Sequence, residues 1–303
     1  MNLHSTLRDT AATLRYITKH PLCRNAPIQG VGRWMAWQIR ARLTTGPVAF
    51  DFVEPARLFA RSGLTAATAN LYVGMQEFDD MAFAVHMLRP GDLFCDVGAN
   101  IGAYTILASA VSGARSIAFE PVSSTYDWLA QNIRLNGLGE KVVARHAAVG
   151  AEIGTARITS NLDTVNHVLP SNSISDATAS EQVEVTTLDA IFSEEAPTLI
   201  KIDVEGFEMA VINGGARTLA DPRLRAVIAE LNSSGEAYGH DDAEIRNRLE
   251  SFGFECVQYL PFERRIVERK TFEPGNVVFV RGKEWVADRL RQAAPFRCRG
   301  VQI

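Results

Sequence analysis

Hydrophobic and polar positions follow two alternating periods along most of this chain. From about residue 88 onward, apolar runs of strand length are separated by stretches whose apolar residues recur with helical spacing. Such alternation predicts an α/β fold with a mostly parallel sheet. The predicted strands are LFCDV (93–97), RSIAFE (115–120), KVVARHAAV (141–149), TLIKIDV (198–204) and AVIAEL (226–231), with helices after the first, second, fourth and fifth.

The connection between the third and fourth strands is longer than a simple crossover. Within this insert, at about 151–187, TARITSNL and EQVEVTTL have period-two character and predict a hairpin. Two later runs, GFECVQYL and NVVFV, predict a second hairpin. The helix STYDWLAQNIRLNG carries capping signals at both ends, Ser124 with Asp127 at its start and Asn136 with Gly137 at its end.

The two ends of the chain differ from this alternating region. Helical spacing of apolar residues predicts one amphipathic helix that stops before Pro21, and VGRWMAWQIRARL predicts another. We therefore expect an N-terminal helical extension over 1–70, as a lid or an interaction segment, and a main domain over 71–282. A basic tail is expected over 283–303.

Composition narrows the class of protein. The chain has 303 residues and is 47% hydrophobic, which is enough for a globular core, and no apolar run reaches the roughly 18 residues of a membrane span. Four widely separated cysteines argue against a zinc site or a disulfide framework. They favour a reducing compartment, so we expect a cytoplasmic protein without a structural metal.

Charge is distributed unevenly. Residues 1–45 carry seven basic residues and one acidic residue, a net of +6, although the whole chain has a net charge of −4. Basic ends, one of them containing Trp34 and Trp37, suggest contact with an anionic surface or an anionic substrate carrier. Solvated helix faces are the alternative explanation. Nucleic acid is not an expected partner, because the rest of the chain is acidic.

The first strand runs into a glycine-containing turn, FCDVGANIGAYTILAS. A dinucleotide fingerprint that began at Gly98 would need glycine where Asn100 and Ala103 stand, which argues against NAD or FAD. Asp96, Gly98, Asn100 and Gly102 still form a strand-to-helix turn that a ligand can approach closely. A ligand with one nucleoside and no phosphates suits this turn, with its amino-acid end near Asp96 and the loop amides. S-adenosylmethionine is such a ligand.

Two acids at later strand ends extend this pattern. Glu120 ends the second strand, where an acid in sheets of this order accepts hydrogen bonds from ribose hydroxyls. In LIKIDVEGFE, Lys201 and Asp203 interrupt an apolar strand and point to one face because they are two residues apart. Asp203 lies at the carboxyl end of its strand, where open parallel sheets bind ligands. A structural ion pair between Lys201 and Asp203 is the alternative.

Several motifs together resemble the FkbM-type family of S-adenosylmethionine-dependent methyltransferases. They are PGDLFCDVGANIGAYTILAS, FEPVSSTYDWLAQNIRLNG, TLD at 187–189, IKIDVEGFEMAVINGG and IAEL, and the likeness covers about 72–280. The resemblance implies a seven-stranded Rossmann-like sheet with an antiparallel last strand and methylation of a hydroxyl on a sugar, polyketide or related metabolite. The resemblance also implies a cofactor loop formed by Asp96, Gly98, Asn100 and Gly102. It implies that Glu120 binds the ribose of the cofactor and that Asp203 and Glu205 lie beside the methyl group.

Methylation of an alcohol requires a base, and four side chains are candidates: Asp203, Glu230 at the end of the next strand, and two loop histidines, His167 and His240. Lys201 belongs to the same group through its pairing with Asp203. Small residues near the end of the third strand, including Ala147, would form the wall for adenine, with His146 in the core.

Other functions remain open at this point. N-methylation of a small molecule would use the same cofactor loop without a strong base. A catalytically idle scaffold that binds the cofactor and contacts partners through its basic ends is a second alternative. The identity of the small-molecule or glycan acceptor and the oligomeric state cannot be read from the sequence.

Overall fold

A computed structural model describes residues 3–159 and 180–303. Its α-helices are α1 (Leu3–Lys19), α2 (Pro27–Leu43), α3 (Thr65–Val73), α4 (Phe78–Met87), α5 (Ala103–Ile106), α6 (Ser123–Leu135), α7 (Leu188–Ile191), α8 (Glu208–Asn213), α9 (Ala216–Ala220), α10 (Asp242–Ser251) and α11 (Lys283–Arg291). Its strands are β1 (Val48–Asp51), β2 (Arg57–Ala60), β3 (Leu93–Val97), β4 (Arg115–Phe119), β5 (Val142–Arg145), β6 (Ala148–Val149), β7 (Gly154–Thr159), β8 (Ser180–Thr186), β9 (Leu199–Ile202), β10 (Ala226–Leu231), β11 (Glu255–Leu260), β12 (Arg265–Glu268), β13 (Gly275–Val280), β14 (Arg297–Cys298) and β15 (Val301–Gln302).

The chain divides into two compact units. The terminal unit comprises Met1–Phe78 with Pro295–Ile303, and the central unit comprises Asp79–Ala294. The sequence predicts boundaries after residues 70 and 282, whereas these units divide after residues 78 and 294. The segment 283–303, expected as one basic tail, is shared between the units, because α11 belongs to the central unit and the β14–β15 hairpin to the terminal unit.

An eight-stranded sheet organises the central unit, with the order β12-β11-β13-β10-β9-β3-β4-β5. Strands β5, β4, β3, β9 and β10 pair in parallel, while β13 pairs antiparallel with both β10 and β11. The α/β fold and the mostly parallel sheet are confirmed, and so is the late antiparallel strand. The predicted number of seven strands is wrong, because β12 forms an additional antiparallel edge pair with β11.

Both faces of this sheet are covered. Alternate residues of β3, such as Cys95 and Val97, pack into a core cluster with Met209 of α8 and Leu249 of α10. The residue between them on the opposite face, Asp96, is buried as well. Central parallel strands are mostly apolar because both of their faces are buried. A charged residue within such a strand therefore indicates a functional site or a structural ion pair.

A three-stranded sheet, β6-β8-β7, follows β5. Its antiparallel β7–β8 pair confirms the hairpin expected in the insert for the described residues. The predicted strand 141–149 is wrong as a single element, because β5 joins the large sheet and β6 the small one. His146 between them is exposed rather than buried in the core, and its Nε2 lies 3.0 Å from the carbonyl oxygen of Pro121.

The terminal unit is built on α1, α2 and α3 with two small hairpins. Gly30 of α2 lies against Ile17 of α1 so closely that a Cβ would meet the Ile17 Cγ2 at 2.6 Å. Arg299, between β14 and β15, donates to the carbonyl oxygens of Asn70 and Leu71 at 3.2 and 2.9 Å. Among the described helices, none has the length and apolar character needed to cross a bilayer.

Candidate active site

The turn after β3 brings its backbone against the end of β9. Gly98 has a φ of 81°, and a Cβ at this position would overlap the carbonyl oxygen of Asp203. The amides of Gly98 and Ala99 both donate to the carbonyl oxygen of Phe119, at 3.0 and 2.9 Å. Glycine alone combines this left-handed conformation with so close an approach. The turn therefore ties together the carboxyl ends of β3, β4 and β9.

Two further residues of the turn are left-handed. Asn100 has a φ of 51°, and Gly102, directly before α5, has a φ of 87°. A Cβ on Gly102 would meet Cδ1 of Leu129 in α6 at 2.5 Å. The missing side chain therefore allows α5 and α6 to pack closely, which is a structural reason for the second glycine of the motif.

The remaining amides of the turn are also hydrogen-bonded within the protein. The amide of Asn100 donates to Glu120 at 2.8 Å, that of Ile101 donates to the Asn100 side chain at 2.8 Å, and that of Gly102 donates to the Ala99 carbonyl at 2.8 Å. Contrary to the expectation from sequence, the turn offers a ligand its shape and its neighbouring side chains rather than free amides.

Asp96 is buried within the sheet. Its Oδ2 accepts hydrogen bonds from the hydroxyl and the amide of Thr105, at 2.6 and 3.0 Å. Burial raises the pKa of Asp96 to about 6, although the charge of Lys201 and the bonds from Thr105 oppose this rise. Asp96 thus anchors α5 behind the turn. The sequence did not identify Thr105, because a single threonine in a helix belongs to no motif.

Glu120 follows β4 and is buried beside the turn. Its Oε2 accepts from the Asn100 amide at 2.8 Å, and its Oε1 accepts from the Val122 amide at 3.0 Å. Burial raises the pKa of Glu120 to about 7, despite the opposing effect of these two hydrogen bonds. Each carboxylate oxygen can accept more than one hydrogen bond, so Glu120 retains capacity for the hydroxyl groups of a ligand.

The buried Lys201 forms an ion pair with the partly exposed Asp203 at the end of β9, with 2.6 Å between Nζ and Oδ2. Lys201 lies opposite Asp96 in the β3–β9 register, and its ammonium lies 4.8 Å from the centre of the Tyr104 ring. Burial acts to raise the pKa of Asp203, but the charge of Lys201 and the hydrogen bonds from Glu230 and Lys201 together outweigh burial and lower that pKa. Asp203 is therefore ionised at neutral pH, and the ion pair considered from sequence is present.

Two glutamates complete what we call the carboxylate cluster, Asp203, Glu205 and Glu230, in which one oxygen from each residue lies within 4.8 Å of the others. Burial and the charge of Asp203 raise the pKa of Glu230 far above its usual range. The protonated carboxyl of Glu230 donates a hydrogen bond to Asp203. Oε2 of Glu230 is buried and has no hydrogen-bond partner in the described part of the chain.

Glu205 lies in the loop after β9, in a left-handed conformation with φ 51°. Burial and the charge of Asp203 raise the pKa of Glu205 to about 7, while a hydrogen bond with Asn232 opposes the rise. Glu208 fixes the loop by accepting from the Gly206 amide at 3.1 Å. Asn232, directly after β10, is a further neighbour that the sequence did not point out.

The cluster therefore holds three carboxyl groups in different protonation states. Asp203 carries a charge, Glu230 carries a proton, and Glu205 titrates near neutral pH. Paired carboxyl groups with separated pKa values are characteristic of acid–base sites. The three carboxylates are also close enough to bind a cation together. The sequence did not indicate such a site, because these residues are separated along the chain.

The other residues that the sequence proposed are not part of the carboxylate cluster as the structure describes it. His240 is on the surface, where its Nδ1 contacts Glu244 at 3.2 Å. His167 lies outside the described residues. Ala147 is buried in the main core cluster together with Phe119. The structure thus brings together Lys201, Asp203, Glu205 and Glu230, but not His240.

A mostly parallel sheet, a glycine turn after its first strand and acids at the ends of the next strands are features of a Rossmann-like fold that binds its ligand at the carboxyl edge of the sheet. Residues 96–256 match the Methyltransferase FkbM domain. Because this match covers more than half of the chain, the protein belongs to the FkbM methyltransferase family and is a methyltransferase enzyme, as its sequence motifs suggested.

Curated relatives carry methyltransferase names. The chain is 29% identical to 31-O-demethyl-FK506 methyltransferase FkbM of Streptomyces tacrolimicus over 247 residues, which are 68% of this chain and 91% of that protein. It is 26% identical to Methyltransferase sdnD of Sordaria araneosa over 175 residues, which are 47% of this chain and 68% of that protein.

Two solved structures are similar at a lower level. Methyltransferase FkbM from Methylobacillus flagellatus KT has a TM-score of 0.43 and 15% identity, and the match covers 82% of this chain and 59% of that one. This chain therefore spans less than two thirds of that protein. A TehB-like SAM-dependent methyltransferase from Corynebacterium glutamicum has a TM-score of 0.40 and 13% identity, with 71% of this chain and 95% of that one covered.

Proposed function

We propose that this enzyme uses S-adenosylmethionine as its methyl donor and methylates a hydroxyl oxygen of a small metabolite, such as a sugar or a polyketide. The observation that carries the proposal is the carboxylate cluster at the carboxyl edge of β9 and β10, where one group is ionised and another titrates near pH 7. Attack by a hydroxyl requires a proton acceptor of this kind.

The side chains around the turn are suited to such a donor. Glu120 would bind the ribose hydroxyls, and the turn formed by Asp96, Gly98, Asn100 and Gly102 would shape the adjoining pocket. Ala147, small and close to the end of β5, would lie on the adenine side. When bound, S-adenosylmethionine supplies a methyl group on a positively charged sulfur, and an oxygen that attacks in line accepts it.

Within the cluster, Glu205 is the better general base. Asp203 is ionised, but the Lys201 charge and the Glu230 hydrogen bond stabilise that form, so Asp203 binds a proton only weakly. The pKa of Glu205 lies near 7, where general bases are most effective at neutral pH. Asp203 contributes by its charge, which raises the proton affinity of Glu205. General base catalysis of this kind accounts for about 10² to 10⁴ in rate.

Oxygen is favoured over nitrogen as the acceptor atom for two reasons. A neutral amine attacks without prior loss of a proton and would need no base of this kind. In addition, the name of the relative from Streptomyces tacrolimicus specifies an oxygen of a metabolite as the methylated atom. These points support an alcohol acceptor and leave its identity to a screen.

A methyl-transfer assay tests the proposal directly. Purified protein would be incubated with methyl-labelled S-adenosylmethionine and a panel of glycosides, polyketide alcohols and amines, with product masses measured. Label on an alcohol, lost in Glu205→Gln and retained in the exposed control Glu152→Gln, is the expected result. Label on amines that is unaffected by Glu205→Gln would establish the N-methyltransferase instead. Tight binding of S-adenosylhomocysteine with no turnover on any acceptor would favour the idle scaffold.

A further inference from the structure

Helix α2 of the terminal unit exposes apolar residues along one side. Gly30 and Trp37 are buried, whereas the stripe that we call the outer α2 face is exposed: the exposed fractions are 85% for Ile28, 54% for Met35, 60% for Ile39 and 79% for Leu43. Spacings of seven, four and four residues place these side chains on one side of a helix. A surface helix normally has charged and polar residues there.

The outer α2 face is long enough to act as a docking surface. Fifteen residues separate its first and last members, which corresponds to about 22 Å along a helix axis. Scattered exposed apolar residues are ordinary, but contiguous apolar patches mark interaction sites. Trp37, grouped with Trp34 in the sequence-based expectation, is not part of this surface, because it faces the interior of the terminal unit.

The charged residues of α2 itself are all of one sign. Helix α2 contains Arg33, Arg40 and Arg42 and has no acidic residue. Arg40 and Arg42 are exposed in its last turn, and Arg42 donates to the Gln38 carbonyl of the same helix. The outer α2 face is thus an apolar stripe bordered by arginines.

A cavity of about 220 Å³ adjoins the same helix within the terminal unit. Its walls include Trp37, Phe50 and the three arginines Arg33, Arg40 and Arg299, and none of the residues that line it is acidic. Nε of Arg299 is buried without a hydrogen-bond partner in the described part of the chain. The cavity lies on the Trp37 side of α2, opposite the outer α2 face, and its three arginines concentrate positive charge that attracts anions.

We propose that α2 lies on an anionic lipid surface, with Ile28, Met35, Ile39 and Leu43 at the boundary between headgroups and acyl chains. Arg40 and Arg42 would bind lipid phosphates. Amphipathic helices with apolar and basic faces bind membranes in this way. A second copy of the chain suits the surface less well, since two α2 helices would bring six arginines together without a compensating acid. The inference is independent of the reaction that the central unit catalyses.

Sedimentation with vesicles tests this proposal on the full chain. Binding is expected with phosphatidylcholine vesicles that contain phosphatidylglycerol, to weaken as salt is raised, and to be negligible with phosphatidylcholine alone. Removal of both charges in the R40Q/R42Q double variant should weaken binding about thirtyfold, given the contribution of each basic residue near a charged bilayer. Ile39→Asp, which places a carboxylate in the apolar stripe, should weaken binding at least about tenfold.

Ile153→Asp is the matched control, because Ile153 is 73% exposed but lies in the central unit. It should bind vesicles like the unmodified chain, and circular dichroism should show that all variants remain folded. Equal losses in Ile39→Asp and Ile153→Asp would overturn the proposal, as would the absence of binding to anionic vesicles. A dimer in sedimentation equilibrium that Ile39→Asp dissociates would assign the face to a second copy instead.

Discussion

The carboxyl group of Glu230 donates a hydrogen bond to Asp203, which also accepts one from Nζ of Lys201 at 2.6 Å. These two hydrogen bonds stabilise the ionised form of Asp203, whereas burial alone would favour its protonated form. Because Lys201 lies in β9, Asp203 follows it directly and Glu230 lies in the adjacent strand β10, their relationship depends on strand order as much as on sequence motifs. The fixed negative charge of Asp203 then determines how its neighbours titrate.

Asp203→Asn should move the pH profile of the reaction towards lower pH. The Asp203 charge is one cause of the raised pKa of Glu205, so removing it makes Glu205 lose its proton more readily. The acidic limb of kcat/KM against pH, expected near pH 7 in the unmodified enzyme, should then shift down by about one pH unit. Glu205→Gln should instead abolish that limb and reduce kcat by about 10² to 10⁴.

Stability measurements distinguish this effect from damage to the fold. Asp203→Asn leaves the ammonium of Lys201 buried without its partner carboxylate, which costs about 3 to 5 kcal/mol in comparable pairs. A double variant with Lys201→Met should recover much of that loss in urea unfolding. An acidic limb that stays in place in a folded Asp203→Asn enzyme would contradict the role assigned to Asp203.

Binding of S-adenosylhomocysteine should strengthen as the pH rises through 7. The pKa of Glu120 is raised to about 7 by burial, and its ionised form is the better acceptor for two hydroxyl groups. If only that form binds, the affinity should increase up to about tenfold between pH 6 and pH 8. Calorimetric titration at several pH values measures this. Glu120→Gln should bind more weakly and lose the pH dependence, whereas a dependence retained in that variant would show that another group is responsible.

The stability of the protein should fall as the pH rises from mildly acidic values. Glu230 has a pKa raised above its unfolded value of 4.5, so the folded state binds more protons. Its contribution is fully present below about pH 4.5 and is lost as the pH rises through the raised pKa. Glu230→Gln keeps a hydrogen-bond donor for Asp203 but cannot ionise. Its free energy of unfolding should therefore fall less between pH 5 and pH 8, by roughly 1 kcal/mol or more.

Glu152→Gln is the control for this measurement, since Glu152 is exposed in the loop after β6. Its stability should follow the pH dependence of the unmodified chain. Parallel curves for all three proteins would mean that Glu230 titrates in the folded state much as it does in the unfolded state.

The elements that the sequence predicted best are those whose residues are buried on both faces. Strands β3 and β10 begin and end at the predicted residues, because a mostly apolar run of strand length is bounded by polar turns. Strand β12 was missed because its segment, RRIVER, is mostly charged and only Ile266 within it is buried. Edge strands have weak patterns for this reason.

Distant contacts explain the other differences. The cap expected at Ser124 is absent. The helix begins at Ser123, whose amide donates to Glu181 at 3.0 Å. A carboxylate 58 residues away thus replaces the local signal. In the site, Asp203, Glu205 and Glu230 could be named from sequence, but their protonation states follow from burial and from mutual distances that only the folded chain sets. The roles of Thr105 and Asn232 also depend on the fold, which brings Thr105 to Asp96 and Asn232 to Glu205.

His240→Ala should leave methyl transfer within about threefold of the unmodified rate. Histidine is a suitable base by its chemistry, but the side chain of His240 lies on the surface against Glu244. Steady-state kinetics with the acceptor found in the screen measure the effect. A drop in kcat of about 10² or more would mean that His240 reaches the acceptor and that Glu205 is not the base.

Gly98→Ala should destabilise the central unit strongly. A Cβ at Gly98 would overlap the Asp203 carbonyl oxygen, and the φ of 81° disfavours any side chain there. Because the obstacle is backbone rather than a flexible side chain, the turn or β9 must move, and we expect a loss of about 3 kcal/mol or more in the free energy of unfolding. Gly139→Ala is the matched control, since open space surrounds that glycine. It should change stability by no more than about 0.5 kcal/mol. If Gly98→Ala is as stable as Gly139→Ala in urea unfolding, the contact between the turn and β9 is not as close as described.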